Sequence, residues 1–145
     1  GITQQDVELN GRAFAVAQKC MFVDDSMYVY FYNTDSICKS PKIEKRIKYA
    51  GDTIRVAALH KDFFEKKCND KELCVFFQKH TNSRIASTIY SDVRNNVDKR
   101  IIDEVIAVAK ELDLYPLKGQ FLTKKWILLL PILNHRKLWW MLKLI

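Results

Sequence analysis

The sequence predicts a mainly α protein of the α+β kind, in which a short two-stranded β element follows the first helix and an antiparallel helical bundle forms most of the rest. Long stretches carry Lys, Glu, Ala, Leu and Ile at helical spacing. Only four glycines and three prolines occur in 145 residues, which is few for a fold built from short strands and tight turns. The hydrophobic fraction of 48% is sufficient for a sizeable core.

The first predicted helix covers residues 6–18, where apolar residues recur at roughly helical spacing. Asp6 and Glu8 stand in its first turn, where the helix dipole favours negative charge. Two short strands are predicted next, over residues 20–23 and 27–32, because both runs are apolar or aromatic and an Asp-Asp-Ser turn separates them.

N-capping patterns indicate where the first two helices of the bundle start. Ser40 and Pro41 predict the start of a long helix, with Ser as the N-cap and Pro at the first helical position, and its apolar face continues to about Lys66. The segment Asn69-Asp70-Lys71-Glu72 resembles a capping box and predicts a second helix to about Tyr90. The turn between these helices is short, so we expect an antiparallel pair.

Asp98 can cap a third bundle helix, which Leu114-Tyr115-Pro116 ends. Two short helices are predicted after it. The sequence thus divides into three parts: residues 1–40, which combine a helix with short strands; residues 41–115, a helical subdomain; and residues 116–145, a basic helical tail rich in tryptophan.

The positive charge of this protein lies in the tail. Residues 1–115 hold 18 basic and 17 acidic residues, whereas the tail holds no acidic residue and six basic ones: Lys118, Lys124, Lys125, Arg136, Lys137 and Lys143. No basic recognition helix stands out, and cations do not interleave with aromatic residues across strands. We therefore expect no nucleic-acid partner.

Tryptophan with Lys and Arg on an apolar helix is typical of a segment that lies at the headgroup level of an anionic bilayer. Six residues are candidates for this contact: Trp126, Arg136, Lys137, Trp139, Trp140 and Lys143. The alternative is that the tail closes the helical core through Ile127, Leu130, Leu133, Leu138, Met141 and Leu142, with its cations in water. The sequence leaves both interpretations open.

No phosphate-binding, zinc-protease or serine-hydrolase motif occurs in the sequence. His60, His80 and His135 are far apart, and the four cysteines form no CxxC pair, so we expect no metal site in this chain. The longest apolar run is far shorter than the roughly 20 residues of a spanning helix.

One resemblance covers about residues 2–40. It rests on a succession of short motifs, namely Asp6-Val7-Glu8-Leu9-Asn10, Arg12, Ala17-Gln18-Lys19, Phe22-Val23-Asp24, Tyr28-Val29-Tyr30, Asn33 and Ser36-Ile37. In order, spacing and residue type this succession resembles the second half of the catalytic domain of bacterial family 2, GT-A type glycosyltransferases.

The resemblance implies that Asp6 is the general base that takes the proton from the acceptor hydroxyl. This sequence has Gln5 where the family has Glu, which removes one charge from the site. The resemblance also implies that Gln5, Glu8, Arg12, Tyr30 and Asn33 contact the acceptor or support the base.

The resemblance further implies a nucleotide-sugar donor, a polysaccharide or lipid-linked acceptor, and a cytoplasmic enzyme peripheral to the inner face of the cell membrane. The nucleotide-binding half, with an acidic motif for Mg²⁺ or Mn²⁺, is not in this sequence. We therefore expect a C-terminal fragment that binds no cofactor and is inactive by itself. Homo-oligomerisation stays open, as does the alternative of a small helical module that binds a protein or a membrane surface without enzymatic activity.

Overall fold

The computed structural model of this chain describes residues 1–22, 24 and 41–145. Helices hold 73% of these residues, and none of them belongs to a strand. The helices are α1 (Gln5–Val16), α2 (Ile43–Lys67), α3 (Lys71–Arg94), α4 (Lys99–Glu111) and α5 (Lys124–Asn134), followed by a C-terminal 3-10 helix (Arg136–Lys143). The mainly α class is confirmed. Residues 20–22 lie outside any helix, and the rest of the predicted β element falls outside the described residues, so that element stays a prediction.

Helices α2 and α3 form the predicted antiparallel pair. Near their connection the rings of Phe64 and Phe77 stack with centroids 3.8 Å apart. Farther along, the Thr81 hydroxyl donates to the carbonyl oxygen of Ala57 at 2.9 Å. Residue numbers thus fall along α2 as they rise along α3, which is the geometry expected of two helices joined by three residues.

The bounds of α2 and α3 differ from prediction by up to one turn. Helix α2 begins at Ile43, two residues after Pro41, and its N-cap is Lys42, whose side chain makes no capping hydrogen bond to the helix. The N-cap of α3 is Asp70, whose carboxylate accepts from the backbone N–H groups of the second and third helical residues. Helix α3 continues to Arg94 because its last turn still buries Val93 in the core.

Helix α4 packs against both α2 and α3 and begins as predicted. The Asp98 carboxylate accepts a hydrogen bond from the backbone N–H of Arg100 at 2.9 Å. The residues that α4 buries are Ile101, Ile102, Val105, Val108 and Ala109, all on the predicted apolar side. The Glu104 side chain of α4 packs directly on Gly51 of α2, where a Cβ would stand 2.7 Å from the Glu104 carboxylate.

The tail packs on the same core as α2, α3 and α4. Leu117, Leu133 and Leu142 are buried there together with residues of the earlier helices. The Asn134 side chain accepts from the backbone N–H of Leu117 at 2.7 Å and donates to the Leu117 carbonyl at 2.8 Å, which fixes α5 to the preceding loop. Hydrophobic packing is therefore continuous across the proposed boundary at residue 116, and the three-part division stays a prediction.

Candidate functional site

Helix α1, which carries the candidate base, lies along α2 and is held there by polar contacts. The backbone N–H of Thr3 donates to Asp52 at 2.8 Å, and the Gln4 amide donates to the Thr53 hydroxyl at 2.6 Å. One turn farther, the ring Nε2 of His60 lies 3.1 Å from the carbonyl oxygen of Glu8. These contacts fix the start of α1 on the middle of α2.

Asp52 is the buried acid of this contact, with 3% of its surface exposed. It accepts a hydrogen bond from Lys48 Nζ at 2.7 Å, and the same ammonium group donates to the carbonyl oxygen of Gly1 at 2.7 Å. Burial raises the pKa of Asp52, but the hydrogen bonds from Lys48 and Thr3 outweigh burial and hold the pKa below its ordinary value. The ionised carboxylate thus joins the N-terminal segment to α2.

The side of α1 that faces away from α2 is open. None of its residues is buried, and exposed apolar side chains include Val7 (47%), Leu9 (59%), Phe14 (68%) and Val16 (71%). Asp6 belongs to this outward side, in the first turn, and makes no hydrogen bond or ion pair with any residue that the structure describes. The helix therefore presents an unoccupied carboxylate among exposed apolar side chains.

Three of the predicted site residues meet in one pocket. Gln5, Glu8 and Arg12 share a face of α1 at helical spacing and, with Ile2 and Leu59, line a pocket of about 380 Å³. Glu8 and Arg12 form an ion pair at 2.6 Å. Asp6 is not among the lining residues, because one residue along a helix turns the side chain by about 100°.

The sequence did not indicate Ile2 and Leu59 as lining residues, because both are single apolar residues and only the packing of α1 on α2 brings them together. Tyr30 and Asn33, the other two candidates, lie outside the described residues, so their predicted roles stay predictions.

The structure separates the three tryptophans of the tail. Trp139 is buried, with 7% of its surface exposed, and its indole N–H donates to the Leu133 carbonyl at 3.1 Å. Trp126 is half-buried against Tyr90, at a centroid distance of 5.7 Å. Trp140 is 60% exposed. Trp139 therefore belongs to the core rather than to a membrane-facing surface, because its hydrogen bond and packing turn it inward.

The cations proposed for membrane contact also differ in their surroundings. Arg136 forms an ion pair with Asp103 at 2.5 Å, so its charge is compensated. Lys143 donates to the side-chain oxygen of Asn96, a neutral partner that leaves its charge uncompensated. Lys137 is exposed.

The core-closing interpretation of the tail holds in part. Leu133 and Leu142 are fully buried, and Leu130 and Met141 are partly buried. Ile127 is 52% exposed and Leu138 36% exposed, in contrast to the prediction. Leu129, which the prediction did not include, is buried instead.

A cluster of two cations and an aromatic ring lies where α3 ends. Arg94 donates to the Tyr90 hydroxyl at 2.5 Å, and Lys125 Nζ lies 3.7 Å from the centroid of the Tyr90 ring. Burial raises the pKa of the Tyr90 phenol, but hydrogen bonds from Arg94 and Lys125 outweigh burial and lower it. No local sequence pattern indicates Arg94 as part of this cluster, because it is 31 residues distant from Lys125 and only the fold joins them.

Among residues 1–22, 24 and 41–145, no group of His, Cys, Asp and Glu side chains could hold a metal ion. In the same residues, no helix is both long enough and apolar enough to cross a bilayer. Comparison with known proteins found no match to any family model, curated protein or solved structure.

Proposed function

We propose that this chain is the C-terminal, acceptor-side part of a family 2 glycosyltransferase, which transfers a sugar from a nucleotide donor to a polysaccharide or lipid-linked acceptor. Asp6 is the proposed general base, which takes the proton from the acceptor hydroxyl. The donor and its divalent cation bind to a part of the enzyme outside residues 1–145, and we assign no residue of this chain to the cation. The resemblance of residues 2–40 to that family is the first support.

The outward side of α1 is the observation that supports this function best. Asp6 is exposed and unoccupied by any described partner. Leu9, about one turn farther along α1, and Phe14, about two turns farther, expose 59% and 68% of their surface to water. Apolar side chains in such number on one helix are expected to be covered in a complete enzyme. A donor-binding part that covers them would bring the sugar nucleotide to the Asp6 carboxylate.

The neighbouring pocket suits the acceptor. Its volume of about 380 Å³ lies within the range of small-molecule sites. The Gln5 amide, the Glu8 carboxylate and the Arg12 guanidinium offer both donors and acceptors of hydrogen bonds, as a sugar with several hydroxyl groups requires. The Asp6 side chain projects about 100° around the helix from that of Gln5, so we propose that the acceptor extends from this pocket around α1 and presents one hydroxyl to Asp6.

In this proposal the chain contributes proton transfer and orientation. As the acceptor oxygen forms its bond to the anomeric carbon of the donor sugar, the bond from that carbon to the nucleotide diphosphate breaks. The hydroxyl proton goes to the Asp6 carboxylate. Gln5, Glu8 and Arg12 hold the acceptor so that the attacking oxygen faces the donor.

The test uses the chain together with the donor-binding part that the proposal requires. Asp6→Asn removes the base and should lower kcat by two or more orders of magnitude, with donor affinity nearly unchanged. Asp70→Asn is the matched control, because Asn caps α3 as well as Asp does and the site is exposed. Wild-type turnover by Asp6→Asn would remove Asp6 from the mechanism.

A helical interaction module is the second candidate, and the same open side of α1 favours it, because exposed apolar residues also suit a protein partner. The coding sequence before Gly1 separates the two candidates. An open frame that encodes alternating strands and helices with a DxD-type pair supports the transferase, whereas a start codon directly before Ile2 favours the module.

A further inference from the structure

An uncompensated positive surface extends from the end of α3 to the end of the chain. Arg94 and Lys125 converge on Tyr90, with Arg94 bonded to the hydroxyl at 2.5 Å and Lys125 Nζ 3.7 Å from the ring centroid. Neither cation forms an ion pair with a carboxylate among the described residues. Two positive charges are thus held side by side against an aromatic ring, without a carboxylate to compensate them.

The same surface continues onto the 3-10 helix. Asn96, two residues after Arg94, accepts a hydrogen bond from Lys143 Nζ. A 3-10 helix repeats every three residues, so Lys137, Trp140 and Lys143 share one side of it, and all three are exposed. Trp139 and Leu142 share another side of this helix, about 120° away, which is buried. An exposed tryptophan therefore stands between two lysines, and Lys143 connects it to the Arg94 cluster.

Acidic residues do not neutralise this surface. Asp98, the N-cap of α4, and Asp103 of α4 are each paired with an arginine, at 2.9 Å from Arg100 and 2.5 Å from Arg136. The tail itself contains no acidic residue. Leu144 adds an apolar side chain that is 76% exposed.

We propose that this surface, formed by Arg94, Lys125, Lys137, Trp140, Lys143 and Leu144, binds an anionic lipid bilayer, with Trp140 and Leu144 inserted at the headgroup level and the four cations against lipid phosphates. An exposed tryptophan beside an exposed leucine is the apolar component that interfacial binding requires. Four uncompensated cations supply the attraction to anionic lipid. The chain lies on the membrane surface without spanning it, and this binding does not depend on the proposed sugar transfer.

The positive charge of this surface distinguishes an anionic bilayer from a second copy of this chain as the binding partner. A second copy of this chain would place the same positive surface against itself, which repels at the distances of a protein contact. An anionic bilayer neutralises every cation of the surface at once and also takes up the apolar side chains of Trp140 and Leu144.

Sedimentation with vesicles tests the proposal. The chain should bind vesicles of phosphatidylserine and phosphatidylcholine, bind phosphatidylcholine alone far more weakly, and dissociate as salt is raised. Arg94→Gln and Lys137→Gln should each weaken binding about fivefold, which is the effect of one cation near an anionic surface. Trp140→Ala should weaken it about tenfold, through loss of the inserted ring.

Lys71→Gln is the control, because Lys71 is an exposed lysine at the other end of α3, about 35 Å from Arg94. Lys71→Gln should bind the vesicles as strongly as the original chain does. Vesicles should also shift the tryptophan emission to the blue, and Trp140→Phe should remove most of the shift, since Trp139 is buried and Trp126 is half-buried.

Three results would overturn the proposal: no vesicle binding by the original chain, an equal loss in Lys71→Gln and Arg94→Gln, or a dimer that Trp140→Ala dissociates in the absence of lipid. The last result would assign the surface to a second copy. All these measurements are independent of transferase activity, so their failure leaves the proposed function untouched.

Discussion

Gly11 of α1 lies directly on the imidazole ring of His60 in α2. A Cβ at Gly11 would stand 2.5 Å from His60 Nε2 and 2.8 Å from Cε1. The ring is buried, and it packs edge-on against Phe77 at a centroid distance of 5.9 Å. The absence of a side chain at this single position therefore sets how closely the helix with the candidate base approaches the bundle.

Gly11→Ala should destabilise the docking of α1. At an exposed helical position this change stabilises by about 0.5–1 kcal/mol, because Ala loses less backbone entropy than Gly. Here the methyl group overlaps a buried ring, and overpacking costs about 1–3 kcal/mol. Urea unfolding and amide exchange over Gln5–Val16 measure the two consequences, lower stability and faster exchange in α1.

Asn10→Ala is the control for this prediction, since Asn10 is the exposed neighbour of Gly11 and gains helix propensity without a clash. It should be neutral or slightly stabilising. If Gly11→Ala stabilised the protein as much as Asn10→Ala, the close contact between α1 and His60 would be disproved.

Ionisation of Asp52 should make the free energy of unfolding depend on pH. Its folded-state pKa lies below the ordinary value of 3.8, because hydrogen bonds from Lys48 and Thr3 outweigh burial. The unfolded chain therefore binds the proton more readily. The contribution of Asp52 is fully present above the unfolded-state pKa and is lost as pH falls through the folded-state pKa.

Asp52→Asn tests this relation. The variant should lose about 1–3 kcal/mol of stability at neutral pH, because a charge-assisted network is broken in a buried site. Its difference from the original chain should shrink as pH falls below about 4. Unfolding by urea at several pH values checks both effects, with Asp62→Asn, an exposed acid of the same helix, as the control. A difference that stayed constant with pH would contradict the assigned role.

Trp139 and Trp140 should differ sharply in their effect on stability. Trp139→Ala removes a buried indole together with its hydrogen bond to the Leu133 carbonyl oxygen. We therefore expect the free energy of unfolding to fall by about 3–5 kcal/mol. Trp140→Ala removes an exposed ring and should change stability by about 0.5 kcal/mol or less. Urea unfolding of the two variants side by side measures the contrast, and equal losses would show that the 3-10 helix does not hold this orientation.

Local sequence patterns were sufficient to predict the helical class, the start of α4 and, to within a residue, the start of α3. These features are local: apolar residues at helical spacing predict an element, and the Asp98 carboxylate bonds to a backbone N–H two residues away. Gln5, Glu8 and Arg12 likewise share a helix face by spacing alone, whereas the pocket that they line also requires Leu59 of α2.

Which residues are covered and which charges are uncompensated depends on how the helices pack. Trp139 and Trp140 are adjacent and identical in type, yet one is buried and the other exposed, because the 3-10 helix turns one side to the core. Arg94 and Lys125 meet at Tyr90 from distant parts of the chain. Such contacts depend on how helices pack, and a local pattern carries no information about a neighbour 31 residues away.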